Sequence, residues 1–146
     1  LIGSEDPECD PKEWIPNPDE FNREITDSQW KAQVYRCMRR IPTLEEPSRK
    51  RGVVDLYDVS DDWLPIYDST RIKGYYMAIG SSGNQFKNAP IAGHCMAELI
   101  EACEKGQNHD EDPVQVKTVY TGLTLNMGFY SRNREINPNS SFSVNG

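Results

Sequence analysis

The sequence predicts an α+β fold with a few mostly antiparallel strands and two main helices, near residues 28–40 and 90–105. Three observations carry that prediction. Apolar residues recur at helical spacing in two separate stretches, from Trp30 and from Ile91. Around them lie short apolar or aromatic runs of strand length, at 52–59, 64–67, 75–79 and 114–120. Turn-forming pairs, Asp61-Asp62 and Lys73-Gly74, separate those runs.

In chain order, residues 1–20 read as an acidic, proline-rich loop, because Pro7, Pro11, Pro16 and Pro18 interrupt regular structure. Trp14 is expected to pack and hold it down. Thr26-Asp27-Ser28-Gln29 is a helix start with Thr26 or Asp27 as cap. Trp30, Val34, Cys37, Met38 and Ile41 then share one face, while Lys31, Gln33, Arg36, Arg39 and Arg40 face outward. Arg39 and Arg40 complement the dipole in the last turn, and Pro42 ends the helix. The basic stretch from Arg36 to Arg51 is a solvated helix end or a binding surface. Val53, Val54, Leu56, Tyr57 and Val59 alternate in part, predicting a strand over 52–59, and a shorter one follows at 64–67.

The stretch with chemical promise is 74–106, read as strand, glycine-bearing loop and helix. Residues 75–79 suit a buried strand, and Gly80, Ser81, Ser82, Gly83 and Asn84 stop it with small residues that permit close backbone approach. Asn88 caps the helix, Pro90 suits its first turn, and Gly106 closes it. Ile91, Ala92, Cys95, Met96, Leu99, Ile100 and Cys103 form its apolar stripe. Such a loop presents backbone N–H groups and the positive end of a helix dipole, so it favours an anion or a carbonyl; Lys87 adds a cation there. Small residues at an ordinary strand–helix corner would look the same. Neither G-x-G-x-x-G nor a P-loop is present.

After Gly106 comes a polar loop, 107–113, then the short strand or extended connection at 114–120, then a tail poor in apolar residues whose last dozen residues read as poorly ordered. No internal repeat is visible. At 146 residues the chain suits one domain with a core of its own. The net charge of −7 argues against nucleic acid or an anionic membrane as a general partner. The early acidic cluster lacks calcium-loop spacing, and no apolar run approaches a membrane span. Cys9, Cys37, Cys95 and Cys103 form no C-x-x-C pair. Cys95 and Cys103 would stand about 12 Å apart along the helix, too far for a disulfide, so both read as small core residues. That favours a reducing intracellular compartment, cytoplasm or mitochondrion. His94 and His109 have no partner at metal-ligand spacing, so no metal site is predicted. Asn139-Ser140-Ser141 matches a glycosylation sequon, a triplet that chance supplies often.

Residues 74–100, G-Y-Y-M-A-I-G-S-S-G-N-Q-F-K-N-A-P-I-A-G-H-C-M-A-E-L-I, resemble the flavin-contacting segment of the D-amino-acid oxidase and sarcosine oxidase superfamily. Members carry a strand, then G-x-S-G-x-x, an aromatic residue and a cation, then a helix with A-E-L-I near its middle. The run 56–68, L-Y-D-V-S-D-D-W-L-P-I-Y-D, is similar to the family's Y-x-x-T-P-D-x-x-P-I-I-D segment, in the same order and spacing. Residues 131–135 resemble the S-R-x-R-E tail of some members.

The resemblance implies the C-terminal part of a two-domain FAD/NAD(P)-binding-type oxidoreductase. The family's N-terminal dinucleotide motif does not occur here, and the chain starts with Leu1 on what reads as a strand end. The expected blocks are the 1–20 loop, a helix and strands of the substrate side over 21–70, the flavin-contacting unit over 71–106 and a tail over 107–146. The implied activity is oxidation of an amine, N-methyl or amino-acid substrate by hydride transfer to FAD, with this fragment inactive alone. Gly80, Ser81, Ser82, Gly83, Asn84, Gln85 and Phe86 match the loop that binds the cofactor, and Lys87 matches the cation that holds the substrate carboxylate. Asp55 stands where monomeric sarcosine oxidases carry the cysteine that links flavin, so FAD is expected to be non-covalent. Asn84 and Gln85 replace their His-Gly, which leaves the amine open. No catalytic base or nucleophile is assigned, since the cofactor carries the hard chemistry. The alternatives are a non-catalytic binding module sharing the same corner and an oligomerisation module, with homo-oligomers possible through surface exposed where the absent part would dock.

Overall fold

The computed structural model describes residues 2–4, 10 and 12–140. Leu1, Cys9, Ser141 and prolines 7 and 11 lie outside the described residues, and with them the strand end at Leu1, the sequon's third position and part of the acidic loop. The chain divides into two compact units, Leu1–Leu56 and Tyr57–Gly146, a boundary that falls inside the block expected over 21–70.

The first unit is built around helix α1, Asp27–Arg40. Thr26 caps it: its hydroxyl accepts the Gln29 N–H at 3.2 Å while the Gln29 side chain takes the Thr26 N–H at 3.4 Å. Ile41 leaves the helical region because Pro42 follows, and the helix stops. Val34 is buried, Trp30, Cys37 and Met38 are half-buried, and Ile41 is exposed. Arg36 does not simply face solvent as expected; its guanidinium grips both oxygens of Asp10, at 2.5 and 2.9 Å. Lys50 ties the far end of the unit to the helix start through the Ile25 carbonyl and Asp27.

The second unit holds β1 (Ile66–Ser69), β2 (Tyr76–Ile79), helix α2 (Ala89–Glu104), β3 (Gln115–Lys117) and β4 (Thr124–Asn126). β1 and β2 pair antiparallel from Ile66↔Ile79 to Ser69↔Tyr76, and β3 and β4 from Gln115↔Asn126 to Lys117↔Thr124. Two helices and two small antiparallel sheets make this an α+β fold, as the pattern predicts. α2 packs on β1 and β3 and buries Cys95 and Leu99. Around them Tyr67, Val114, Val116 and Met127 close one core, with the Tyr67 and Tyr130 rings 5.3 Å apart. Leu99, with no exposed surface, contributes about 2–3 kcal/mol by burial alone. At its end the Gln107 N–H returns to Ala102 and the Gly106 N–H to Cys103, with Gly106 at φ 98°, a geometry that glycine adopts without steric cost.

Further expectations are corrected. Trp14 is 66% exposed and does not pack as expected, and the strand at 75–79 is not buried, Tyr75 and Ile79 being exposed. Residues 52–59 form no strand: Val53 is 86% exposed, and no strand among the described residues pairs with the segment. Alternation has no consequence without a partner edge, and residue 58 spends its hydrogen bonds on a loop instead. The stretch 114–120 shortens to β3, and its hairpin partner β4 was not predicted. Asn88 sits at the N-cap of α2 without a capping side-chain bond, its amide going to Gln85 Oε1. No helix among the described residues is long and apolar enough to cross a membrane.

Candidate functional site

The loop leaving β2 begins at Gly80, turns through positive φ at Gly80 (67°), Ser82 (50°) and Gly83 (76°), and reaches a short 3-10 turn, Phe86–Asn88, before α2. That turn separates the glycines from the helix. The Asn88 N–H bonds the Gln85 carbonyl and the Ala89 N–H that of Phe86. Part of the expected donor array is therefore spent locally.

The first part of the array has an internal anion. The Asp58 carboxylate accepts the Gly80 N–H at 2.8 Å, the Ser81 N–H at 3.2 Å and the Ser81 hydroxyl at 2.5 Å, while the Asp58 carbonyl accepts the Ser82 N–H at 3.0 Å. Partial burial works against its charge. The Ser81 hydroxyl and the two N–H groups outweigh it, so the Asp58 carboxyl titrates below its usual range. The predicted preference for an anion is thus a property of the loop, and Asp58 satisfies it.

Further along, Gly83 is exposed on one side and covered by Tyr57 on the other; a Cβ there would lie 2.7 Å from the ring. Phe86 is 97% exposed, and Lys87 is exposed without a carboxylate partner among the described residues. The structure brings Gly80 to Phe86 and Lys87 onto one corner and leaves Asp55 exposed before it.

Two buried carboxylates fix the segment that leads into this corner. Asp62, fully buried, takes Arg134 Nε at 2.9 Å and Nη2 at 2.5 Å, and the Ser60 hydroxyl and Leu64 N–H at 3.2 Å. The Arg134 guanidinium, despite the desolvation that opposes it, holds Asp62 down from 3.8 to about 2. Asp68, also fully buried, accepts the Ser131 hydroxyl, the Arg132 N–H and the Arg132 guanidinium. Arg132 reaches on to Asp110 at 2.6 Å. His109, expected in a plain polar loop, is buried here: its Nδ1 accepts the Val114 N–H at 3.1 Å, which places the proton on Nε2, 3.6 Å from Asp68.

Sequence reasoning missed Asp58, Asp68 and His109. The tail motif was the available signal, since Ser131, Arg132 and Arg134 supply the partners of both buried aspartates. Burial raises the Cys95 and Cys103 thiols, so neither is poised as a nucleophile, in keeping with their reading as core residues. Among the described residues no group of three or more His, Cys, Asp or Glu could hold a metal ion. A depression of about 340 Å³ opens between the β1–β2 turn and the end of α2, lined by residues 69–76 and 103–110, and shares no residue with the loop. No family model matches the sequence, and neither the curated proteins nor the solved structures give a match.

Proposed function

We propose that this chain supplies the flavin-contacting corner of an FAD-dependent oxidoreductase acting on an amine, N-methyl or amino-acid substrate. One observation carries the reading. The three stretches that resemble the family, 56–68 (from Tyr57 on), 74–100 and 131–135, converge in the second unit through specific bonds: Asp58 with Gly80 and Ser81, Asp62 with Arg134, and Asp68 with Arg132.

The residues suit the group in one respect that the geometry allows to be tested. Gly83 is exposed backbone whose Cβ face is filled by the exposed Tyr57 ring, so a flat ligand edge would meet peptide and aromatic ring together there. In this reading FAD, when bound, supplies the hydride acceptor. Backbone N–H groups of the loop meet carbonyl oxygens on its edge, where they favour negative charge that builds up there. Lys87, as an exposed cation next to the loop, orients a substrate carboxylate by charge. Asp55 offers no thiol, so the cofactor is held without a covalent bond.

The test is the visible spectrum of the longest native form before and after acid precipitation. A yellow supernatant supports non-covalent flavin; colour kept in the pellet contradicts it. Absence of flavin in both, even after FAD is added, favours the second reading, a non-catalytic binding or oligomerisation module. That alternative draws on Phe86, Tyr57 and Ile79, exposed by 97, 60 and 49% around the same corner.

A further inference from the structure

We infer that Asp58 is the positioning residue of the Gly80–Gly83 loop and that the face left for a ligand begins at Gly83, not Gly80. The nature of the ligand rests on the flavin reading above; the role of Asp58 rests on geometry alone.

Residue 58 engages three consecutive loop residues. Its carboxylate takes the Gly80 and Ser81 N–H groups and the Ser81 hydroxyl, and its carbonyl takes the Ser82 N–H. Those donors are already occupied by Asp58. Ser82 shows that the arrangement is imposed. It is a non-glycine residue at φ 50°, a conformation costing about 1–2 kcal/mol, and it is fully buried with its hydroxyl on the Gly80 carbonyl. Bonds from Asp58 on both sides of the turn offset that strain.

Past Ser82 the pattern changes. The Asn84 N–H folds back on the Ser81 carbonyl at 3.2 Å. Among the described residues, the N–H groups of Gly83, Gln85 and Phe86 meet no acceptor. Of the seven residues that the resemblance assigns to the cofactor, Gly80, Ser81 and Ser82 are therefore support and Gly83 to Phe86 are contact. Charge adds a selection. A free anion brought to these donors meets the Asp58 carboxylate, already bonded to the same loop, as a like charge, whereas an uncharged ring bearing carbonyl oxygens does not. The corner is built for the second kind of acceptor.

The experiment is NMR on the 15N-labelled chain, wild type, D58N and D58A, with riboflavin and inorganic phosphate as separate probes. The Gly80 and Ser81 amide shifts should follow one acid titration that both variants lack. Asp62, the carboxylate across Ser60, is unchanged in the variants, so its own titration is not mistaken for that of Asp58. In D58A the Gly80 and Ser81 amides should exchange about tenfold faster. D58N retains an acceptor oxygen and keeps the test available if D58A does not fold. Riboflavin should shift Gly83, Gln85 and Phe86 and spare Gly80 and Ser81, and phosphate should shift none of them. Riboflavin moving Gly80 and Ser81 as far as Gly83, or phosphate moving the loop, would overturn the assignment of the face while leaving the flavin reading intact. Gly80 and Ser81 failing to follow Asp58 would overturn its role. No response to riboflavin, with the Asp58 titration intact, overturns the assignment of the face and leaves the positioning role standing, while the flavin reading is decided by the spectrum of the longest native form.

Discussion

Replacing Arg134 by Gln should cost the second unit about 3–5 kcal/mol, the range for removing one partner from a buried ion pair. The size follows from the surroundings of Asp62. Both carboxylate oxygens bond the guanidinium, the Asp62 side chain has no exposed surface, and that of Arg134 is only 9% exposed. In the variant the Ser60 hydroxyl and the Leu64 and Asn137 N–H groups remain to the carboxylate, none of them a cation. Protonation supplies a second handle. A folded-state pKa near 2 against an ordinary 3.8 corresponds to about 2 kcal/mol of stability at neutral pH. The folded value is depressed, so this contribution is complete above about pH 5 and fades as pH falls towards 2. Arg134→Gln reverses the sign, because an unpaired buried carboxyl titrates above its unfolded value. The gap between wild type and variant should therefore be widest at neutral pH and narrow on acidification. Urea unfolding followed by tryptophan emission in a background with Trp14 and Trp30 replaced by Phe, so that Trp63, buried next to Asp62, reports alone, measures both quantities. A loss below 1 kcal/mol at pH 7, or a gap constant from pH 7 to pH 3, would refute the reasoning. Arg134→Lys keeps the charge and loses the fork, so it should fall between the two.

Other substitutions read other parts of the fold. Leu99→Ala empties a fully buried position of the core and should cost about 2–5 kcal/mol in the same assay. His109→Leu leaves the buried Val114 N–H without its acceptor, at about 1–3 kcal/mol, visible also as faster exchange of that amide. Thr26→Ala removes the hydroxyl half of the capping box on α1, leaving the residue's own N–H to Gln29, and should cost about 1 kcal/mol, read from thermal melting by far-UV circular dichroism.

Legibility from sequence follows the distance over which each feature is determined. The capping box at Thr26, the stripe of α2 and the stop at Gly106 were readable because their partners lie within a turn or two of the chain. β4 was not, since Thr124, Leu125 and Asn126 include one apolar residue and become a strand only by pairing with β3. The run 52–59 is the converse case: its alternation is real, but no edge receives it. At the corner, the small residues marked a loop that presents backbone N–H groups to an anion. What fills them was hidden because Asp58 lies 22 residues before Gly80. His109 was hidden similarly, its burial being settled by Val114 and Asp68 and by nothing in its polar neighbours.

The aspartates also change the meaning of the tail. A net charge of −7 suggests carboxylates turned to solvent, yet Asp62 and Asp68 have no exposed surface and Asp58 is spent on backbone donors. With two two-stranded sheets among its described residues, the second unit relies on these side chains to hold segments that neither ladder holds. Ser131, Arg132 and Arg134 supply the partners of both buried aspartates, so the segment past Tyr130 is structural although little of it is apolar. Ending the chain at Tyr130 would leave two buried carboxylates without their cations, at about 3–5 kcal/mol each. Their sum is comparable with the whole stability of a domain, about 5–15 kcal/mol. The truncated chain should therefore lose the near-ultraviolet circular dichroism of its aromatic core and unfold without a cooperative transition. Apolar burial alone gives the opposite expectation, because Leu99, Val116 and Met127 all precede the cut. A truncated chain that still unfolds cooperatively near the wild-type midpoint would show that the core suffices and that the two ion pairs are incidental.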